Sequence, residues 1–153
     1  MALTSPVTGS AQTGFTSPTY TLTLDKFPGP NGVQYAVTAL GGTQTGATAQ
    51  TADKPFTVSV ERPVTVKVQT VNANGVTVSS GRNRHRILIR KGMPAVTGQP
   101  PLLATLELIA SVPVGAESVS AAEIRAMISC MVGVATQYSA AFGDQVVSAV
   151  VTA

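Results

Sequence analysis

Through most of the chain apolar and polar residues alternate, the period of strands with one buried face. Tyr20, Leu22 and Leu24 alternate with Thr19, Thr21 and Thr23. Gly29 to Gly32, ending in Asn31-Gly32, supplies tight hairpin chemistry before a second strand over Val33 to Leu40. Gly41 to Lys54 is rich in Gly, Thr, Gln and Ala without a period, which predicts an exposed loop. Strand character resumes at Phe56 to Glu61, and Pro63, which has no N–H for a ladder, predicts a break there. A strand is expected next over Val64 to Val71, with Val64, Val66 and Val68 on one side and Thr65, Lys67 and Gln69 on the other, followed by a turn at Asn74-Gly75.

From Arg84 to Lys91, Ile87 and Ile89 share a side with His85 and Lys91, whereas Arg84, Arg86 and Arg90 share the other with Leu88. Gly92 to Pro101 has the composition of a loop, and Leu102 to Val112 reads as a last strand, its apolar side carrying Leu102, Ala104, Leu106, Leu108 and Ala110.

After Pro113 and Gly115 the period changes from two to about 3.6. Ser120 with Glu123 three residues on is a capping-box signature, in which each side chain satisfies an orphan backbone N–H. Ile124, Met127, Ile128, Met131, Val132, Ala135 and Tyr138 then form one apolar stripe, with the methionines as core filler rather than ligands. Gly143 and Asp144 are expected to interrupt the helix before a tail, Val146 to Val151, that is either a helical turn or extended.

Strands followed by a helix place the chain in the α+β class, as an antiparallel sheet of about six strands in one domain over residues 1–153. One helix is a thin cover for such a sheet. The uncovered apolar area therefore predicts a homodimer in which each copy's helix covers its twin's sheet.

Composition sharpens the picture. The chain is 44% hydrophobic but only 11% charged, well below the roughly one quarter usual for globular proteins, so neutral polar residues cover much of its surface and suit contact with further copies. Net charge is +3, yet seven of the ten cations fall at Arg62, Lys67, Arg82, Arg84, Arg86, Arg90 and Lys91, with no Asp or Glu between Arg62 and Leu106. Such a stretch points to a polyanion. Arginines at every second strand residue stand roughly 6.6–7 Å apart, close to a phosphate repeat, and Lys67 is expected to extend the patch from a neighbouring strand. The competing reading is a charged strand that protects a sheet edge from aggregation. Neutralising about six to eight phosphates would make log K fall with log salt at a slope of roughly −4 to −7.

Little favours catalysis. His85 stands among arginines with no carboxylate nearby in sequence, and Asp25, Asp53, Glu61, Glu107, Glu117, Glu123 and Asp144 are scattered. The glycines near Gly41 and Gly46 lack the lysine and helix of a phosphate-binding loop. Cys130, the single cysteine, is expected to be a buried thiol; no cofactor or metal is expected. Met1 to Ser10 does not read as a secretory signal, and no apolar run reaches the roughly 18–20 residues of a membrane span, so synthesis in a cytoplasm and no membrane partner are expected.

The order of elements resembles the coat proteins of single-stranded RNA bacteriophages, the levivirus-like family. The likeness is carried by the N-terminal hairpin region, by Asn83-Arg84-His85-Arg86-Ile87-Leu88-Ile89-Arg90-Lys91-Gly92-Met93-Pro94-Ala95-Val96, by Ser111-Val112-Pro113, by the capped helix, and by Ala135-Thr136-Gln137-Tyr138-Ser139 with Gly143-Asp144-Gln145-Val146-Val147. It implies an intertwined dimer with a continuous antiparallel sheet, two C-terminal helices reaching across the partner, and an icosahedral virion shell whose sheet faces packaged genomic RNA. Some members also bind a genomic hairpin and repress replicase translation; Thr65, Lys67, Arg86 and Arg90 occupy comparable positions, with Arg84 beside them. Leu88, however, stands where a small polar residue often helps form a base pocket, and no aromatic residue lies on Arg84 to Lys91 to stack on a base. Two other readings stay open: a non-viral module binding single-stranded nucleic acid, and a fibre or tail subunit.

Overall fold

In the computed structural model, which describes residues 3–78 and 81–151, six strands form one antiparallel sheet. Its members are β1 (Val7–Thr8), β2 (Phe15–Asp25), β3 (Gly32–Gln44), β4 (Phe56–Glu61), β7 (Arg82–Met93) and β8 (Leu102–Pro113), in the spatial order β1-β2-β3-β4-β7-β8. Between β4 and β7 the chain makes a separate two-stranded ribbon, β5 (Thr70–Val71) with β6 (Thr77–Val78).

The strands depart from the alternation of the sequence at two places. Val64 to Gln69 is not a strand: β7 occupies the position beside β4, pairing Phe56 with Lys91 and Glu61 with Arg86, so only Thr70 and Val71 of the expected strand pair at all. Lys67 thus extends no patch from a neighbouring strand. Its backbone instead runs beside the end of β7, where the Asn83 side chain accepts from Lys67 N–H at 2.9 Å and donates to Lys67 C=O at 3.0 Å. At Gly41 to Gln44 the expected loop is still strand, pairing with Phe15 to Thr19 across a bulge. Ser17 at φ 46° and Gly42 at φ 71° absorb the irregularity, and a Cβ on Gly42 would collide with the carbonyl oxygens of Thr16 and Ser17.

The remaining loop folds over one end of the sheet. Gln50 N–H donates to Val37 C=O at 2.8 Å, and the Lys91 ammonium donates to the Thr48 carbonyl while sitting 4.3 Å from the centre of the Phe56 ring. Burial, and then the nearby Lys54 charge, hold the Lys91 ammonium below the usual lysine range.

Three helices follow the sheet: α1 (Ala116–Val119), α2 (Ala121–Gln137) and α3 (Ser139–Ser148). Ser120 is the N-cap of α2, but its side chain makes no capping bond, so the expected reciprocal box does not form. The carboxylate used at this corner is Glu117, which accepts from Gly115 N–H at 3.0 Å. Gly143 and Asp144 lie inside α3, and the helical break comes earlier, at Tyr138. Asp144 accepts a 2.8 Å bond from Thr13 Oγ1, and Ser139 donates to Ala11 C=O at 3.3 Å, so α3 is tied to the β1–β2 connection. The tail is helical through Ser148.

Within the chain, the main contacts of α2 are with α1 and α3 rather than with the sheet. The apolar stripe exists as expected, but Met127, Ile128, Met131 and Val132 are 43% to 52% exposed. Cys130, expected to be buried, is exposed on the same helix. Much of the apolar side of the sheet is also bare: Leu24, Val33, Val60, Ile87 and Leu106 are 38% to 71% exposed, although Tyr35 and Val37 on the same side are buried. Among the described residues Tyr35, Val37, Leu88, Val112 and Val114 form the buried apolar core, a small set for a chain of this length.

Candidate nucleic-acid interface

Strand register decides which side chains share the face opposite the apolar one. Residues directly paired across strands point the same way. The pairs Glu61↔Arg86, Ser59↔Leu88, Thr57↔Arg90, Gln34↔Ser59 and Asp25↔Gln34 therefore build one polar surface, joined from β8 by Thr105, Glu107 and Ile109. Arg84, Arg86 and Arg90 lie on it together with Leu88, as the period of two required.

The register also delivers what the linear sequence hides. Arg86 donates to Glu61 Oε2 through Nε at 3.1 Å and Nη2 at 2.7 Å, and through Nη1 to Glu107 Oε1 at 3.4 Å. The hydrogen bonds to Glu61 are the leading cause that holds the Arg86 guanidinium above its ordinary value. A stretch without Asp or Glu in sequence is thus flanked in space by a carboxylate from each adjacent strand. The signal was present in the positions 61 and 107 relative to the strand hairpins, but it needs the register to be read.

Arg90 donates to Gln34 Oε1 at 3.2 Å, and the same oxygen accepts from Ser59 Oγ at 3.2 Å. The Gln34 amide in turn donates to Asp25 Oδ2 at 2.7 Å; this bond, with a second from Lys26 N–H, holds the Asp25 carboxyl below the usual carboxylate range. Gln34, Thr57 and Ser59 are buried and form the floor under Arg90. Arg82 is fastened to Ser111 by bonds of 2.9 and 2.8 Å.

Of the five candidate residues, Arg84, Arg86 and Arg90 share the polar face, whereas Thr65 and Lys67 lie on the irregular segment after Pro63, both exposed. Arg84 is exposed and makes no side-chain hydrogen bond among the described residues; the same holds for Arg62, which lies outside the set of candidate residues. Arg62, Arg84, Arg86, Glu61, Glu107 and Ile109 line a common cavity of about 270 Å³ with Asn31, Pro63 and Val64.

No protein-family model and no curated protein matches the sequence. Among solved structures, the chain is similar to the virus-like particle of bacteriophage ESE020, with a TM-score of 0.92 and 46% identity over 98% of this chain and 99% of that one. It is more distantly similar to the virus-like particles of Wenzhou levi-like virus 4 (TM-score 0.48, 18% identity, 84% and 73% of the two chains) and Beihai levi-like virus 32 (0.43, 12%, 78% and 82%), likenesses too slight to carry weight. The 46% identity across essentially the full length of both chains, on the expected sheet-then-helix fold, shows that this chain belongs to the coat proteins of the single-stranded RNA bacteriophages.

Proposed function

We propose that the chain, as one domain over residues 1–153, is a shell subunit that dimerises, assembles with further copies into a closed icosahedral particle in the bacterial cytoplasm, and packages single-stranded RNA against its arginine-bearing face. The observation that carries this reading is the mismatch within one copy: a largely bare apolar sheet face and a bare apolar helix stripe whose main contacts are with the other helices. A second copy resolves both at once, with α2 of each laid over the sheet of the other.

Sheet edges point the same way. The β1 edge is only two residues long, whereas β8 offers a twelve-residue outer edge with no Lys and a proline only at its last position. An edge of that kind invites pairing with another strand. Pairing β8 with its symmetry mate consumes this open edge and joins the two sheets into one.

The RNA contact surface is then the opposite face, with Arg84 and Arg90 on β7 and Arg86 between them, while Thr65 and Lys67 stand exposed on the irregular segment that follows Pro63. Packaging fits this face better than hairpin-specific repression, because Leu88 is buried between the arginines and the strand has no aromatic platform. Replacing Arg84 and Arg90 with Ser is expected to lower the RNA content of purified particles, read from the ratio of absorbance at 260 and 280 nm, while dimers persist. Unchanged RNA content would remove these arginines from the interface.

A further inference from the structure

Beside Arg86 the polar face is not simply basic. The roughly 270 Å³ cavity there brings three guanidinium groups, Arg62, Arg84 and Arg86, together with two carboxylates, Glu61 and Glu107, between apolar walls from Val64 and Ile109. A bare phosphate is poorly served by two neighbouring carboxylates. The commitments inside the cluster are also unequal. Glu61 holds Arg86 through two bonds to Oε2, while its Oε1 is buried and makes no hydrogen bond among the described residues. Glu107 receives one long bond, on Oε1 only, and its side chain is 37% exposed. Arg62 and Arg84 are exposed and unbonded among the described residues. The groups within reach of a ligand are therefore the Glu107 carboxylate and two guanidinium donors, with the buried Glu61 Oε1 behind them, arranged around a space with greasy sides.

A nucleobase that complements this set needs hydrogen-bond donors on one edge for the carboxylate and acceptors on the adjoining edge for a guanidinium, on a flat ring that tolerates Val64 and Ile109. Guanine has that pattern: its N1–H and N2 amine suit a carboxylate, and its O6 and N7 suit a bidentate arginine. Adenine and cytosine offer only one amine to a carboxylate, and uracil offers no amine. We infer that this cavity is a guanine-selective subsite for packaged RNA, with Glu107 reading the amine edge and Arg84, assisted by Arg62, reading the acceptor edge. The inference rests on the RNA-packaging reading and adds a base preference to it.

The test is anisotropy binding of the full-length chain, at low salt, to short uridine oligonucleotides carrying a single central guanosine, inosine or uridine. Inosine keeps N1–H, O6 and N7 but lacks the amine. The guanosine oligonucleotide is expected to bind roughly tenfold tighter than the inosine one, the loss of one hydrogen bond to a charged group. Glu107→Gln is expected to bring the two within about twofold, since an amide no longer presents a charged acceptor. Equal affinity for guanosine and inosine in the native chain, with all three oligonucleotides bound, overturns the subsite and leaves the packaging reading standing. Failure of every oligonucleotide to bind overturns both.

Discussion

Arg86 on β7 and Glu61 on β4 stand directly opposite each other in the sheet register, and a single Glu61 oxygen accepts both Nε and Nη2 of the guanidinium, at 3.1 and 2.7 Å. The pair is lopsided in burial, with the Glu61 side chain 11% exposed and that of Arg86 36%. Removing the arginine therefore leaves a nearly buried carboxylate without its partner, which costs more than removing both. Arg86→Ala is expected to destabilise the protein by about 1–3 kcal/mol, and the double variant Glu61→Gln/Arg86→Gln by clearly less. Thermal unfolding at one fixed protein concentration checks the order; equal losses would show that Arg86 does not support Glu61.

Gly42 supplies a second, purely steric prediction. Its φ of 71° lies in the left-handed region, and a Cβ there would overlap the carbonyls of Thr16 and Ser17 across the β2–β3 bulge. Gly42→Ala is expected to cost on the order of 2–4 kcal/mol, from backbone strain and from displacement of a paired strand. Denaturant unfolding reads the loss, and a change within about 0.5 kcal/mol would mean that the bulge adapts freely.

Much of the fold was legible because its signals are local. Alternation located β4 at its observed bounds and placed the three arginines on one face, and the 3.6 period located α2. Misses came where context outweighs pattern. Val64, Val66 and Val68 alternate as well as any strand, but β7 takes the place beside β4 and the valines are left on an irregular segment. Gly41 to Gln44 looks like loop by composition, yet pairing with Phe15 to Thr19 keeps it extended. In the candidate site, Arg84, Arg86 and Arg90 were readable as a set, whereas the Glu61 and Glu107 partners were not. They lie 25 and 21 residues from Arg86 and meet it only through register. Arg62 was seen as part of the basic stretch, but its place in the cavity beside Arg84 depends on how the chain leaves β4.

Asp25 gives a pH prediction. Its carboxyl is held below the usual range first by the Gln34 amide and then by Lys26 N–H. A folded value below the unfolded one means that the contribution to stability is present above the unfolded value and fades as pH falls through the folded one, below about pH 4. A carboxyl chemical-shift titration of the folded protein is expected to place the Asp25 midpoint below that of an unstructured aspartate. A midpoint at or above it would show that the Gln34 bond is not held in solution.

Dimerisation can be tested by charge on either face of β8. Leu106 is 55% exposed in the single copy and pairs with Ile89 on the apolar side, while Thr105 pairs with Arg90 on the polar side. Burying a leucine is worth about 1.5–3 kcal/mol, and symmetry counts it twice. Leu106→Asp is expected to yield monomers by mass photometry, while Thr105→Asp, one residue away, leaves dimers. Dimers that persist in the Leu106 variant would place the interface elsewhere.

The claim beneath all of this is that the bare sheet face and the bare α2 stripe close on each other in a second copy, leaving the arginines on the inner surface of a shell. Expression of the chain alone in bacteria, followed by electron cryomicroscopy of the product, reads that directly. The account predicts closed particles of uniform size that contain host RNA, built from dimers in which α2 crosses the partner's sheet and Arg84 and Arg90 line the lumen. Monomers, open fibres, or shells with Arg84 and Arg90 on the outside would contradict it.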